Sequence, residues 1–381
     1  MKDLKHLYFL TKIDGLGTVR IKRLLDKFGS AENVFDAKPD EITEVENISG
    51  KTALSIIDSV KSHTEFENNF EELLAKAEKL NIKILPLTDS DYPELLKRIY
   101  DPPLILYVRG KYDKSKLVNS IGIVGTRKPS DYGKKMSERF AVELSTAGIS
   151  VISGFARGVD TIAHKAVLSN KGAMGKTAAV FGCGVDVIYP PENKKLYEEM
   201  LENGILMSEY DISAFPDAVN FPKRNRIISG LSFGTIVIES DIDGGALITA
   251  RTALDQSREV FAVPGYITSK VSHGTNALIK NGQAKLVENI DDILVEISNK
   301  LVGLKINSNG HSINEVKMSP ELTGNEKLIY DAFLMTLEPL HIDAISEKSG
   351  LNISDSLVTL LNLEFKNCIE QLPGKRFKIK N

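Results

Sequence analysis

Four stretches, three of them glycine-containing, hold residues whose types and spacing suit one chemistry, the binding of anions. The first runs Gly122-Ile123-Val124-Gly125-Thr126-Arg127-Lys128-Pro129-Ser130-Asp131-Tyr132-Gly133. Glycine lets a backbone approach an anion, free amides at a helix start point toward it, and Arg127 and Lys128 add positive charge. The GxGxxG spacing and a closing Gly-Lys-Ser/Thr are both missing, so neither a dinucleotide nor ATP is indicated. The second stretch is Ser153-Gly154-Phe155-Ala156-Arg157-Gly158-Val159-Asp160. Ser153, Gly154 and Arg157 suit a phosphate, and Asp160 suits the N-cap of the next helix. Phe155 either stacks on a base or covers a sheet end.

The third stretch, Asn220-Phe221-Pro222-Lys223-Arg224-Asn225-Arg226-Ile227-Ile228, places Lys223, Arg224 and Arg226 beside Asn225 at a helix start. The helix dipole disfavours cations there by some tenths of a kcal/mol each. A charge run is usually a solvated face, but this one works against local stability, and a bound polyanion explains it better. Arg226 has a structural alternative, turning inward to a carboxylate such as Glu239. In the fourth stretch, Ser240 to Thr249, Gly244 and Gly245 open a helix whose amides suit an oxyanion. Surface turns account for the glycines of the first and fourth stretches equally simply.

A catalytic set is not found. Of the six histidines only His164 and His273 lie near these stretches, and neither has a metal-ligand neighbour at helical spacing. His164 reads as packing. Cys183 reads as a small buried apolar residue rather than a reactive thiol. The expectation is a binding protein without cofactor or metal, not an enzyme.

The elements that position these stretches follow from the apolar pattern. Strands are expected at Ser120–Val124, Ile149–Ile152, Thr177–Phe181, Gly204–Met207, Thr235–Glu239, Glu259–Val263 and Ala284–Val287. Helices are expected at Lys134–Ala147, Thr161–Ser169, Asn225–Leu231 and Leu247–Ser257. Alternation of this kind makes an α/β fold, a parallel sheet with helices on both faces, and its ligands bind at the carboxyl ends of the strands.

Residues 1–75 read as short helices with a weak repeat. Shifted by 32 residues, Leu16 falls on Ile48, Ile21 on Ala53 and Leu24 on Ile56. The pattern resembles a helix-hairpin-helix pair, whose turn amides approach phosphates, or else a bundle that only packs. Residues 76–118 form a Pro-punctuated bridge of turns and extended pieces. Residues 119–300 are the sheet domain, 301–320 a polar linker, and 321–381 three helical stretches with a terminal hairpin, which suggests a winged helix. Its last residues, 366–381, carry five cations against one anion. That basic wing suits a phosphate backbone, a solvated tail or a protein contact.

Composition sets the outer limits. The chain has 381 residues, 42% hydrophobic and 26% charged, as expected of a chain with real cores. A net charge of −3 excludes a globally basic coat but not local clusters. Two distant cysteines make no disulfide framework, so a reducing cytoplasm is expected. No apolar run approaches the roughly 18 residues of a spanning helix.

Seven strings occur in order: Gly125-Thr126-Arg127, Ser153 to Asp160, Phe181-Gly182-Cys183-Gly184 through Pro190, Phe221 to Ser232, Gly245 to Ala250, Phe261 to Gly265, and Gly274 to Ile279. Together they resemble the DNA-processing protein A family (DprA, also called Smf) over roughly 100–290. The resemblance implies an extended Rossmann-like core between a SAM-like helix-hairpin-helix domain and a winged-helix domain. It implies a cytoplasmic bacterial homodimer, joined through the Rossmann-like domain. Such a protein binds single-stranded DNA during natural transformation and loads RecA recombinase past single-strand-binding protein. By motif, Arg127 and Lys223, with Arg224 and Arg226, correspond to the family's DNA contacts. Gly158-Val159-Asp160 and Gly244-Gly245 depart slightly from the family strings without removing a charge. With no Trp in the chain, stacking would fall to Phe155 or Phe233.

Two other function classes stay open. One is a phosphoribohydrolase acting on nucleoside monophosphates, of the lysine decarboxylase-like type. Those enzymes use a Pro-Gly-Gly-x-Gly-Thr loop and a nearby Glu. Here Gly234-Thr235 precedes a strand ending in Glu239, but no Pro-Gly-Gly comes before it. The other is an interaction scaffold whose basic rim is incidental.

Overall fold

The structure is a computed structural model that describes residues 2–59, 63–306, 312–313, 324–334, 339–365 and 368–379. Most of the expected linker, 307–311 and 314–320, lies outside the described residues, as do Met335, Lys366 and Lys380. The chain divides into two compact units, 1–314 and 315–381.

The first unit is built on nine strands: β1 (Lys83–Pro86), β2 (Ile105–Gly110), β3 (Ser120–Val124), β4 (Ser150–Ser153), β5 (Thr177–Phe181), β6 (Ile205–Ser208), β7 (Gly234–Val237), β8 (Glu259–Ala262) and β9 (Lys285–Leu286). Their order is β1-β2-β6-β5-β4-β3-β7-β8-β9. From β6 to β9 every neighbour pair is parallel. β1 and β2 extend the sheet with antiparallel pairings. The residues read as a bridge therefore supply two strands, and the helix His63–Leu80 runs past the boundary expected at 75.

The order reverses at β3. The chain moves from β3 out through β4, β5 and β6, then returns to β3's other side as β7. The helix that follows β3 packs on one core and the helix that follows β7 on the other, which makes β3/β7 the switch point at whose carboxyl edge such sheets have their ligand crevice. Side chains alternate between two cores, as a two-residue period requires. Ile123, Val151, Ile236 and Phe261 face one. Val124, Ile152, Val237 and Ala262 face the other, which is continuous with the amino-terminal helical core.

The amino-terminal repeat is real in three dimensions. Leu16 N–H donates to Ile13 carbonyl and Ile48 N–H to Val45 carbonyl, both at 3.1 Å, one repeat apart. Gly15 (φ 77°) and Asn47 (φ 65°) occupy the same left-handed position. Asn is the residue that tolerates it best after glycine. The helices Thr18–Phe28 and Gly50–Ser59 follow, and the six repeat-related apolar side chains are buried.

The second unit has helices Asn325–Leu334, Ile342–Ser349 and Ile353–Phe365 and a three-stranded sheet of Leu340–His341, Arg376–Ile379 and Ile369–Leu372 in that order. Ile329, Phe333, Ile345, Leu363 and Phe377 form its core. Among the described residues of either unit, no helix is long and apolar enough to cross a membrane.

Candidate nucleic-acid interface

The loop after β3 is pinned at both ends by one residue. Thr126 N–H donates to the Glu239 carbonyl at 2.8 Å. Ser130 N–H donates to Glu239 Oε2 at 2.9 Å, and the Ser130 hydroxyl donates to Oε1. Ser130 also caps the helix Asp131–Thr146 by accepting from Gly133 N–H at 3.1 Å. Between these anchors Arg127 and Lys128 stand exposed. Gly125 is there for packing: a Cβ would lie 2.5 Å from Val159 Cγ2.

The loop after β4 turns inward. Ser153 is buried, its hydroxyl donating to Ile123 carbonyl at 2.6 Å. Gly154 and Ala156 N–H both donate to Asp160 Oδ2, at 3.1 and 3.2 Å. Asp160 thus caps the loop; the N-cap of the helix Val159–Ser169 is Gly158. Phe155 is buried and stacked on Phe181 at 4.9 Å. Phe233 is buried at the amino end of β7. Neither aromatic reaches a base. Arg157 is half exposed and ion-paired with Glu192.

The third stretch divides by helical geometry. Its helix starts at Asn220, five residues before the expected start. Lys223 is exposed. Arg224 is only 4% exposed. Its Nη1 donates to the carbonyls of Gly154 (2.6 Å) and Val180, and its Nε donates to Asn225 Oδ1 at 3.2 Å. Arg224 was expected at a phosphate; instead it ties together the ends of β4 and β5. Burial pushes the Asp160 carboxyl up to about 6, against the pull of Arg224 and the two amides. Burial also lowers the Arg224 pKa while Asp160 supports its charge and Arg127 opposes it, so Arg127 lies within electrostatic reach above. Arg226 turns inward as its alternative required, but to Glu209 (2.6 Å) and Asp101 (2.9 Å), not to Glu239.

The fourth stretch is open at Gly245, where a Cβ would meet nothing within 4 Å. Gly244 is the N-cap of the helix Gly245–Asp255. The preceding turn carries Asp241 and Asp243. Asp241 is held below the usual carboxylate range by Ile242 N–H and Lys270. Its charge opposes a phosphate there.

Of the expected rim residues, then, Arg127, Lys223 and Gly245 face solvent together with Lys128, while Ser153, Gly154 and Arg224 lie inside. No ion pair among the described residues engages Arg127, Lys128 or Lys223. Sequence reasoning missed two aromatics on loops that follow carboxyl ends: Phe215 after β6 and Tyr266 after β8, 87% and 80% exposed. Their signal was available, since both lie beside a proline in a loop that follows an expected strand, Phe215 before Pro216 and Tyr266 after Pro264.

Three groups of a kind able to catalyse are engaged or buried. Glu239 is buried on Ser130. Cys183 is buried and its thiol is pushed up to about 11, mainly by burial. His164 is buried against Thr177. No group of three or more metal-ligating side chains occurs among the described residues. In the second unit the helix Ile353–Phe365 carries no Lys or Arg, and the wing's Lys378 is paired with Glu370 at 2.7 Å.

Three family models match the chain: DNA recombination-mediator protein A over 83–298, a SAM-like helix-hairpin-helix tandem over 8–62, and the DprA winged helix domain over 319–375. The chain belongs to the DNA recombination-mediator protein A family. Within this DprA/Smf family it is 31% identical to Protein Smf of Synechocystis sp., over 99% of this chain and 100% of that protein. It is 39% identical to DNA processing protein DprA of Bacillus subtilis, over 62% of this chain and 79% of that one. The X-ray structure of DprA from Streptococcus pneumoniae superposes with a TM-score of 0.65 at 33% identity, covering 77% of this chain and 97% of that chain. DNA processing protein A from Helicobacter pylori, solved for its single-stranded DNA binding mode, gives 0.51 at 31% identity, covering 58% and 97%.

Proposed function

We propose that this chain binds single-stranded DNA without reading its sequence and hands it to RecA recombinase during DNA uptake. The observation that carries the reading is the trio Arg127, Lys128 and Lys223, exposed at the carboxyl edge of the sheet and engaged by no ion pair among the described residues. Surface cations held on rigid anchors are what a phosphodiester backbone requires. The Helicobacter pylori relative, which binds single-stranded DNA, supports the choice of ligand.

The role is binding rather than catalysis, in the cytoplasm. Single-strand-binding protein is the competitor that the DNA must be taken from. A homodimer through the Rossmann-like domain fits the exposed Ile242, Ile248, Ile267 and Leu286 toward the β7–β9 side. The five-part division of the chain at 75, 118, 300 and 320 goes with this reading, the terminal parts serving the strand or its protein partners.

Fluorescence anisotropy with a labelled single strand and its duplex across a salt series tests it. Preferential single-strand binding that weakens steeply with salt is expected, with similar affinities for unlike sequences of equal length. Absence of binding to either form at low salt rejects the reading.

A further inference from the structure

A groove of about 850 Å³ runs beside the helix Asn220–Gly230. Lys223 lines it near the carboxyl edge of the sheet. The helix ends at Gly230, seven residues beyond Lys223, so its far end lies roughly 10 Å away at ~1.5 Å per residue. There Arg258, just before β8, and Arg98 line the groove, with Thr18 at the start of the first hairpin's helix.

The cations of this groove are unequally served. Arg226 takes both Glu209 and Asp101. Of the lining acids only Asp255 is left, against Arg98, Lys223 and Arg258. Among the described residues no ion pair engages Arg98 or Arg258. Arg258 Nη2 donates to Leu95 carbonyl at 3.0 Å, but its Nε is buried with no hydrogen-bond partner. Burial lowers the Arg258 pKa, and the charge of Arg98 lowers it further. A buried N–H without an acceptor is costly, and so is a partly buried guanidinium, that of Arg258, held near a second cation without a carboxylate. An anion between them removes both costs. Tyr100, 70% exposed, stands at the lip.

We infer that this groove is a second phosphate subsite. A single strand bound at Lys223 continues along the helix Asn220–Gly230, and Arg98 and Arg258 clamp one of its phosphodiesters with Tyr100 beside a base. The inference rests on the single-strand reading above and extends it to a face that none of the three glycine-containing stretches lines.

The test compares short (~5-nucleotide) and longer (~15-nucleotide) oligothymidylates across a salt series, in wild type, Arg98→Ala, Arg98→Glu and Arg258→Gln. Arg98 is exposed, so its variants should fold; thermal unfolding checks each protein. For the longer strand each variant should lower the salt slope by about 0.7, the contribution of one phosphate, and weaken binding about tenfold at low salt. Binding of the short strand, held at the rim, should not change. Wild-type binding with unaltered slope and length dependence in both Arg98 variants overturns the inference. So does a nucleoside monophosphate that raises the melting temperature of wild type but not of Arg98→Ala, if strand binding is unmoved: the occupant is then a small phosphate. A wild type that binds no strand rejects the single-strand reading itself, and this subsite with it.

Discussion

Glu239 and Ser130 are 109 residues apart in sequence, yet the Glu239 carboxylate accepts both hydrogen bonds that Ser130 donates. The pair fastens the end of the Arg127 loop to the strand end across the crevice. No room is left for any side chain at Gly133, where a Cβ would sit 2.2 Å from Glu239 Oε2. The loop's two cations are therefore presented by a rigid strap, and its rigidity is measurable.

Replacing Ser130 by Ala removes a helix cap, worth ~1 kcal/mol, and leaves a buried carboxylate short of a charge-assisted donor, worth ~1.5–3 kcal/mol. Urea denaturation should show a loss of about 3 kcal/mol. Ser130→Thr keeps the hydroxyl and should recover most of it. Single-strand affinity of the folded Ser130→Ala protein should fall several-fold although no phosphate contact has been removed. Unchanged affinity would mean that the strap does not position Arg127.

Charge reversal separates the third stretch into its two roles. Arg127→Glu and Lys223→Glu should each weaken single-strand binding more than tenfold while leaving urea midpoints nearly unmoved, because both side chains are exposed. Arg224→Ala should act the other way round. It strands buried Asp160 and two carbonyls, and breaking a buried pair costs ~3–5 kcal/mol. Equal melting temperatures for Arg224→Ala and wild type would contradict the buried assignment.

Aromatic substitutions should divide in the same manner. Phe155→Ala cuts into the stack on Phe181 and should cost ~3–5 kcal/mol of stability. Phe215→Ala and Tyr266→Ala should leave stability alone and cost ~1–3 kcal/mol of single-strand binding for each base released. Quenching of a fluorescent base analogue in the strand, lost in those two variants only, is the direct readout.

Acid should act through His164. The Thr177 hydroxyl donates to Val151 carbonyl at 3.2 Å, so His164 Nδ1 carries the proton toward Thr177 Oγ1 at 2.6 Å, and buried Nε2 is left bare. Burial, then Arg224, lowers the His164 pKa to about 3. A lowered pKa stabilises the fold fully above the ordinary value of ~6.5, and this contribution is lost as pH falls toward 3. Asp160, raised to about 6, has the opposite sign: its contribution is full below ~3.8 and lost as pH rises through 6. The two slopes oppose each other between 6 and 3.8, so a wild-type profile alone hides them. The stability difference between wild type and His164→Gln isolates the histidine, and should shrink by about 3 kcal/mol from pH 7 to pH 4. A difference independent of pH would place a titratable, hydrated His164 instead.

Where the strands and helices lie was legible because it rests on local periodicity. Ser120–Val124 and Thr177–Phe181 match to the residue. The 32-residue repeat was legible because Leu16 and Ile48 perform the same packing in consecutive copies. β1 and β2 were not, since Pro86, Pro102 and Pro103 read as breaks; Pro86 ends β1, and the other two lie just before β2. Phe155 was ambiguous because its φ of 60°, unusual outside glycine, is what turns the ring inward.

The amino-acid sequence by itself determined the α/β alternation and the family. These follow from patterns within a few residues of one another. Tertiary structure alone decided which cations remain free. Lys223 and Arg224 are adjacent, but successive helical residues point about 100° apart, so one meets solvent and the other meets the carbonyls of β4 and β5. Arg226 is neutralised by residues 17 and 125 positions away. A charge is available to a ligand only when no such partner reaches it, and that depends on distances that folding sets.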